Sequence, residues 1–225
     1  GDELVPPGTA RQPGAIWESN GTLLETMLRA LGQSVTQRQV VADQPDALRQ
    51  ALLDLAKDCD VVVSTGGVSA GDSDWIRPLV AELGAVDFWK LFLRPGRPFA
   101  FGSIGDGVPF FGLPGNPVAA AVTALQLLWP ALQVLEGQSE PELFPRVMVE
   151  LADPLSRRPG RPELARARLD TNAAGTLLAR VDGSQASSRI GSLQHADLLL
   201  ELPAEAGPLE SGTRLWAQVI RQRIF

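Results

Sequence analysis

Two stretches of this sequence combine residue types that could hold an anion and a hard cation. Ser64-Thr65-Gly66-Gly67-Val68-Ser69-Ala70-Gly71-Asp72-Ser73-Asp74 pairs two glycines, which let a ligand approach the backbone, with four hydroxyls and two carboxylates. Asp72 and Asp74 are the hard oxygen donors that magnesium takes. No Gly-Lys-Ser/Thr follows, so the stretch is not a P-loop, and taken alone such a turn also serves plain structure. Leu113-Pro114-Gly115-Asn116-Pro117 is the second: stiff at two prolines, with Asn116 able to cap a helix and Gly115 able to approach a ligand. Its bland account is a well-made helix start.

Lys90 and the run Arg94-Pro95-Gly96-Arg97-Pro98 make segment 86–100 the most basic part of an acidic half, with Asp87 its one acid. Only two lysines, Lys57 and Lys90, stand against 18 arginines, so a compact ammonium among apolar neighbours hints at a specific need. The competing account is a solvated strand end. Further on, Arg157, Arg158, Arg161, Arg166 and Arg168 cluster, and Ser184, Ser187, Ser188 and Ser192 lie around a glycine-containing bend. Arginine alternating along a strand ordinarily faces water. His195 is the sole histidine, which leaves a zinc site or a Ser-His-Asp triad poorly supplied, and in a loop it reads as a bystander.

The elements that must position these residues follow from periodicity. Ser19-Asn20-Gly21 offers a helix N-cap before Leu24, Met27, Leu28 and Leu31, and Gly32 stops that helix. Val35 to Val41 reads as a strand. Asp43-Gln44-Pro45-Asp46 starts a second helix with an apolar face at Leu48, Ala51, Leu52 and Leu55. Asp60 to Ser64 has the β-branched run of a strand buried on both faces. A third helix runs from about Trp75 to Leu83, strands from Val86 to Leu93, Phe99 to Ser103 and Val108 to Gly112, and a long helix follows Pro117. Alternation of strand and helix predicts a three-layer α/β/α domain over residues 1–140 with a mainly parallel sheet. In such a sheet the turns after the strands are where ligands bind. Five short strands from Arg146 to Ile220, between Pro/Gly/Asn turns, predict a small all-β, barrel-like domain over 141–225.

Of 225 residues, 44% are hydrophobic, net charge is −6 and pI is about 4.9. Residues 1–140 carry 16 acids and 9 bases, and residues 141–225 carry 10 acids and 11 bases. That balance argues against broad nucleic-acid binding, which needs a basic stripe. Pro117 to Leu135 is apolar but interrupted by Gln126, Pro130 and Gln133, so no membrane span is expected. A single cysteine, Cys59, favours a reducing compartment, and the cytoplasm is the expected location.

In this order the motifs resemble the C-terminal half of the molybdenum insertase family, MoeA in bacteria and the gephyrin E domain in animals. The matching stretches are Gly1-Asp2-Glu3, Ser19-Asn20-Gly21, Asp43-Gln44-Pro45, residues 64–74, Phe88-Trp89-Lys90, Arg94 to Pro98 and Gly112 to Val118. In the second half Pro159-Gly160-Arg161, Arg166 and Ser192 to Pro203 also fit. The resemblance implies a molybdopterin-binding domain followed by the family's C-terminal β domain, with two earlier domains lying outside this sequence. It implies insertion of molybdate into adenylylated molybdopterin with magnesium-dependent release of AMP. It also implies a homodimer whose cleft takes residues from both chains, and a molybdopterin adenylyltransferase as the upstream partner.

Roles carried over by the resemblance are Glu3, Asp43 and Asp74 as acids at the metal and nucleotide end, with Asp43 and Asp74 counted as catalytic. Lys90 and Arg94, counted as catalytic too, are anion clamps, and Arg166 and Ser187 are oxyanion contacts. Gly66, Gly67, Ser69, Asp72, Arg97, Pro114, Gly115 and Asn116 complete the expected substrate surface. Arg94 and Arg97 stand where the family often has lysine, so a planar fork replaces a point charge. Ala119 stands where a serine is usual. Two other functions are weighed: the sister adenylyltransferase, against which residues 141–225 count, and a gephyrin-like dimeric scaffold.

Overall fold

The structure is a computed structural model that describes residues 1–68, 75–181 and 183–221. The chain divides into two compact units, residues 1–91 with 96–129, and residues 92–95 with 130–225.

The first unit opens with two short paired strands, β1 (Leu4–Val5) and β2 (Ile16–Trp17), then α1 (Asn20–Ala30), α2 (Pro45–Asp58) and β3 (Val62–Thr65). α3 (Ile76–Leu83), β4 (Gly84–Lys90), β5 (Pro98–Ile104) and β6 (Val108–Leu113) follow, and the sheet runs β3-β6-β5-β4. Only the β3–β6 pair is parallel; β5 is antiparallel to both neighbours, which corrects the expected mainly parallel sheet to a mixed one. The reason is connection length. β5 and β6 are joined by three residues, with Gly105 and Gly107 at φ 56° and 91°, and so short a link closes a hairpin where a parallel crossover needs a dozen residues or more.

One sheet face, carrying Val62, Ala100, Ile104 and Phe110, packs with Leu52 of α2 and Leu79 and Val80 of α3. Alternation puts Phe99, Phe101, Phe111 and Leu113 on the other face, where the Phe101 and Phe111 rings meet at 4.8 Å, tilted by 46°. α4 (Pro117–Thr123) packs on β6 and α1 packs on α4. The helix continues through a π turn at Ala124–Leu128 into α5 (Trp129–Leu135). Pro117–Leu135 is long and apolar enough to cross a membrane, yet two-thirds of it is buried inside the protein, and every α4 residue from Val118 to Thr123 is buried. Each fully buried Phe or Leu of this core contributes about 1.5–3 kcal/mol.

Two local expectations are corrected. Val35 to Val41 forms no strand: its β-branched residues have no neighbouring strand to pair with, and Val40 is exposed. Ser19 makes no side-chain cap; the Glu18 carboxylate accepts the Gly21 N–H at 2.6 Å instead.

The second unit is a closed five-stranded barrel of order β10-β11-β7-β9-β8, with β7 (Arg146–Leu151), β8 (Glu163–Thr171), β9 (Leu177–Arg180), β10 (Leu198–Leu202) and β11 (Arg214–Val219). Its interior is filled by Val149, Leu151, Leu198, Leu200, Leu202 and Leu215, with Ala165, Ala167, Ala179 and Ala217 where the bore is tight. All five expected strands are present. Closure leaves no free sheet edge.

Candidate functional site

The two glycine turns lie side by side. β3 and β6 are parallel with Thr65 opposite Leu113, so both turns leave the same end of the sheet. Gly66 and Gly67 have φ of 78° and 69°, a conformation costly for other residues. That bend lets the Gly66 N–H donate to the Leu113 carbonyl at 3.0 Å. A Cβ on Gly115 would lie 3.4 Å from the Gly66 Cα, so the two backbones are in contact. Pro114 is buried while Gly115 and Asn116 are exposed, and Asn116 makes no side-chain cap.

Asn20, at the start of α1, donates its side-chain amide to the Gly115 carbonyl at 2.7 Å. A trans peptide points its C=O and N–H in opposite directions, so tying this carbonyl aims the Asn116 N–H away from α1. Sequence reasoning assigned Asn20 only to a helix start; nothing local shows a contact made across 95 residues. Ser64 Oγ is buried beside this turn with no hydrogen-bond partner among the described residues. Exposed backbone N–H groups at converging glycine turns form a concavity that favours anions. Ser69, Asp72 and Asp74 lie outside the described residues.

Lys90 is exposed at the end of β4, opposite Pro98. Two antiparallel pairings in succession restore strand direction, so β4 ends on the same sheet edge as β3 and β6. It is two strands from β6, about 10 Å at ordinary strand spacing. Arg97 is exposed in the same unit, its carbonyl accepting the Leu91 N–H at 2.6 Å. Gly96 lies so close to the Thr123 hydroxyl that a side chain there would overlap it. Arg94 belongs to the second unit. Its N–H donates to the Pro162 carbonyl at 2.9 Å and its carbonyl accepts the Leu164 N–H at 2.8 Å, which docks it beside β8 with its side chain exposed.

The acidic end is a loop pair. Asp2 N–H donates to Asp43 Oδ2 at 3.2 Å and Asp43 N–H donates to Asp2 Oδ1 at 3.1 Å, so Glu3 and Asp43 stand on adjoining exposed segments. No group of three His, Cys, Asp or Glu able to hold a metal occurs among the described residues. The donor set is nevertheless of the right chemistry: magnesium keeps most of its water and needs one or two carboxylates, which Glu3 and Asp43 can supply.

The barrel carries a separate cavity of about 440 Å³, lined by Arg166, Arg168, Arg189, His195 and the serines 184, 188 and 192. Strand alternation turns Arg166 outward from the barrel core, yet it is only 2% exposed because the loop after β9 folds over it. Gln185 substitutes for a neighbouring strand there, accepting the Arg166 N–H at 2.8 Å and donating to the Arg166 carbonyl at 3.1 Å. The Arg166 Nε donates to Ser192 Oγ at 3.1 Å and Nη2 to the Ala186 carbonyl at 3.5 Å. Nη1 is buried with no partner among the described residues. Burial lowers the guanidinium pKa, with Glu163 opposing, but leaves an arginine charged at neutral pH. A buried guanidinium with a spare donor is a strong anion ligand. Ser187 is half-buried in this loop but does not line the cavity; its neighbours Ser184 and Ser188 do. His195, expected to be a bystander, lines it too.

The glycine turns of the mixed α/β unit and the cationic cavity of the barrel are the two places in this chain whose chemistry suits an anion. Residues 1–134 match the family described as the probable molybdopterin binding domain, and residues 148–219 match the MoeA C-terminal region (domain IV). The first match covers more than half of the chain, which belongs to the family described as the probable molybdopterin binding domain. It is 31% identical over 212 residues to molybdopterin molybdenumtransferase of Haemophilus influenzae, covering 94% of this chain and 52% of that protein. It is 35% identical over 226 residues to the molybdenum cofactor synthesis protein cinnamon of Drosophila melanogaster, covering 98% and 37%. Its fold is similar to the crystal structure of the molybdopterin biosynthesis MoeA protein of Pyrococcus horikosii, with TM-score 0.79, 26% identity, and coverage of 98% of this chain and 52% of that one. The chain thus spans about half the length, or less, of these relatives.

Proposed function

We propose that this chain is the substrate-binding half of a molybdopterin molybdotransferase, which takes adenylylated molybdopterin, releases AMP and places molybdate on the dithiolene sulfurs. The observation that carries this reading is the buried Arg166 guanidinium, which lines a hydroxyl-bearing, arginine-rich cavity and whose Nη1 has no partner among the described residues. A stand-alone adenylyltransferase domain has no barrel and so no such cavity. The family match and the named relatives support the same reading.

In this reading the paired turns at Gly66, Gly67, Gly115 and Asn116 present backbone donors to the phosphate of the pterin. Lys90 and Arg97 of the first unit are positive charges for the anhydride; in the second unit Arg94 is an anion clamp and Arg166 with the loop serines holds the tetrahedral oxyanion. Glu3 and Asp43, joined by Asp74, would hold Mg²⁺, which when bound neutralises phosphate charge. Water cleaves one P–O bond of the anhydride, leaving AMP and molybdopterin, which keeps its own phosphate monoester. Mo–O bonds are then exchanged for Mo–S bonds with loss of water. The active protein is a cytoplasmic homodimer supplied by a molybdopterin adenylyltransferase.

The test is AMP release from adenylylated molybdopterin by the full-length protein, with molybdate and magnesium supplied. Asp74→Asn and Lys90→Ala are expected to abolish it. Undiminished turnover in both variants would refute the assignment.

A further inference from the structure

His195 has no part in the oxyanion reading, yet its placement gives it one. Ser192, which accepts the Arg166 Nε–H, lies in a 3-10 turn at Ile190–Leu193, and the Ala196 N–H continues that turn onto the Leu193 carbonyl at 3.2 Å. His195 follows two residues after the end of that turn, and it and Ser192 both line the cavity. The backbone is pinned on either side: the Gln194 N–H donates to the Gly191 carbonyl at 3.2 Å and the Asp197 N–H to the Ala167 carbonyl at 3.0 Å. His195 is exposed.

The other charges near it are assigned. Arg166 and Arg168 come from β8 and Arg189 from the covering loop. Asp197 lies just beyond, but its carboxylate accepts the Leu169 N–H at 3.1 Å and pairs with Arg221 at 3.5 Å. Arg221 also donates to the Gln194 carbonyl, and Glu163 at the head of β8 acts on Arg166. The described cavity wall itself therefore carries three guanidiniums and one imidazole, with no carboxylate among its lining residues.

We infer that His195 is a proton-linked contact for the oxyanion: its protonated ring adds a fourth positive charge and an N–H donor to the cavity wall, so that binding takes up a proton. The inference rests on the oxyanion reading of this cavity. Histidine is the side chain whose charge changes across the neutral range. A dianion seated among these groups favours the protonated ring, and by reciprocity the protonated ring holds the dianion more tightly. The cavity would then capture a dianion best in mildly acidic solution and release it as pH rises.

Isothermal titration calorimetry of this chain with sodium sulfate and with micromolar sodium molybdate, both dianions over the range used, tests it. Titrations at about pH 6 and about pH 8, in buffers of different ionisation enthalpy, count the protons taken up. The expected result is affinity about five-fold or more higher at the lower pH, with net proton uptake, and a single pH-independent affinity without uptake for His195→Asn. Equal wild-type affinity at both pH values, or proton uptake that persists in His195→Asn, overturns the role of His195 and leaves the oxyanion site standing. Arg166→Ala, and Arg166→Lys as the variant that keeps the charge, test the site itself. If both bind as the wild type does, or if the wild type binds neither anion, the oxyanion reading fails.

Discussion

Asn20 holds the Gly115 carbonyl from the far side of the turn, and Gly66 supplies the backbone bend that brings its own turn into contact. Asn20→Ala leaves that carbonyl without its donor, so the chain should lose about 1 kcal/mol in urea denaturation. Asn20→Asp replaces the donor by an acceptor facing an acceptor and should lose more. Gly66→Ala meets a different penalty: at φ 78° an added Cβ costs about 1–2 kcal/mol whatever space surrounds it. An Asn20→Ala chain with an unchanged unfolding midpoint would show that the bond to Gly115 contributes nothing. At this scale glycine-rich turns are visible in a sequence because glycine is chosen for its dihedral freedom. The partner of a side-chain amide 95 residues away is not.

At the scale of elements, β4 and β5 approach so closely that Gly102 has no room for a side chain: a Cβ there would overlap the Ala85 carbonyl. Gly102→Ala must therefore push the two strands apart, at a cost of about 1–3 kcal/mol, read as a lowered urea midpoint. Helices α2 and α3 are joined by an ion pair in which Arg49 donates to Glu82. That hydrogen bond, then the Arg49 charge, lowers the Glu82 pKa below its ordinary value of 4.5, with burial opposing. A depressed carboxyl pKa adds stability that is complete above 4.5 and is lost as pH falls through the lower, folded-state value. The urea midpoint should thus fall on acidification below about pH 4.5, and Glu82→Gln should fall less steeply. Identical acid profiles for the two proteins would remove Glu82 from the account. The strand at Val35 to Val41 failed at this same scale, because a β-branched run becomes a strand only beside another strand.

For the whole molecule, each unit has its own core: Leu52, Val62, Leu79, Val80, Ile104 and Phe110 in the first, Val149, Leu151, Leu198, Leu200 and Leu215 in the second. Separate cores permit separate melting. Calorimetric unfolding of the chain is expected to resolve two transitions, and millimolar sulfate should raise only the one that belongs to the barrel, by mass action on the Arg166 cavity. A single cooperative transition, or a sulfate shift in both, would contradict this.

Periodicity, turn chemistry and composition were sufficient to place α1 to α3, the long helix after Pro117 and all five barrel strands, because these depend on neighbours three, four or two residues away. The same local rules exposed the glycine turns as chemical candidates. Sheet direction depended on how short the links around β5 are, and the three-residue turn at Gly105-Asp106-Gly107 was a hairpin signal present in the sequence but outweighed by the alternation of helices and strands. Tertiary structure alone decided that an outward-facing arginine of β8 is buried, that a loop some 20 residues later covers it, and that the sole histidine lines the same cavity. Burial of a charged side chain is set by what folds over it from elsewhere in the chain, and no local pattern of residues records that.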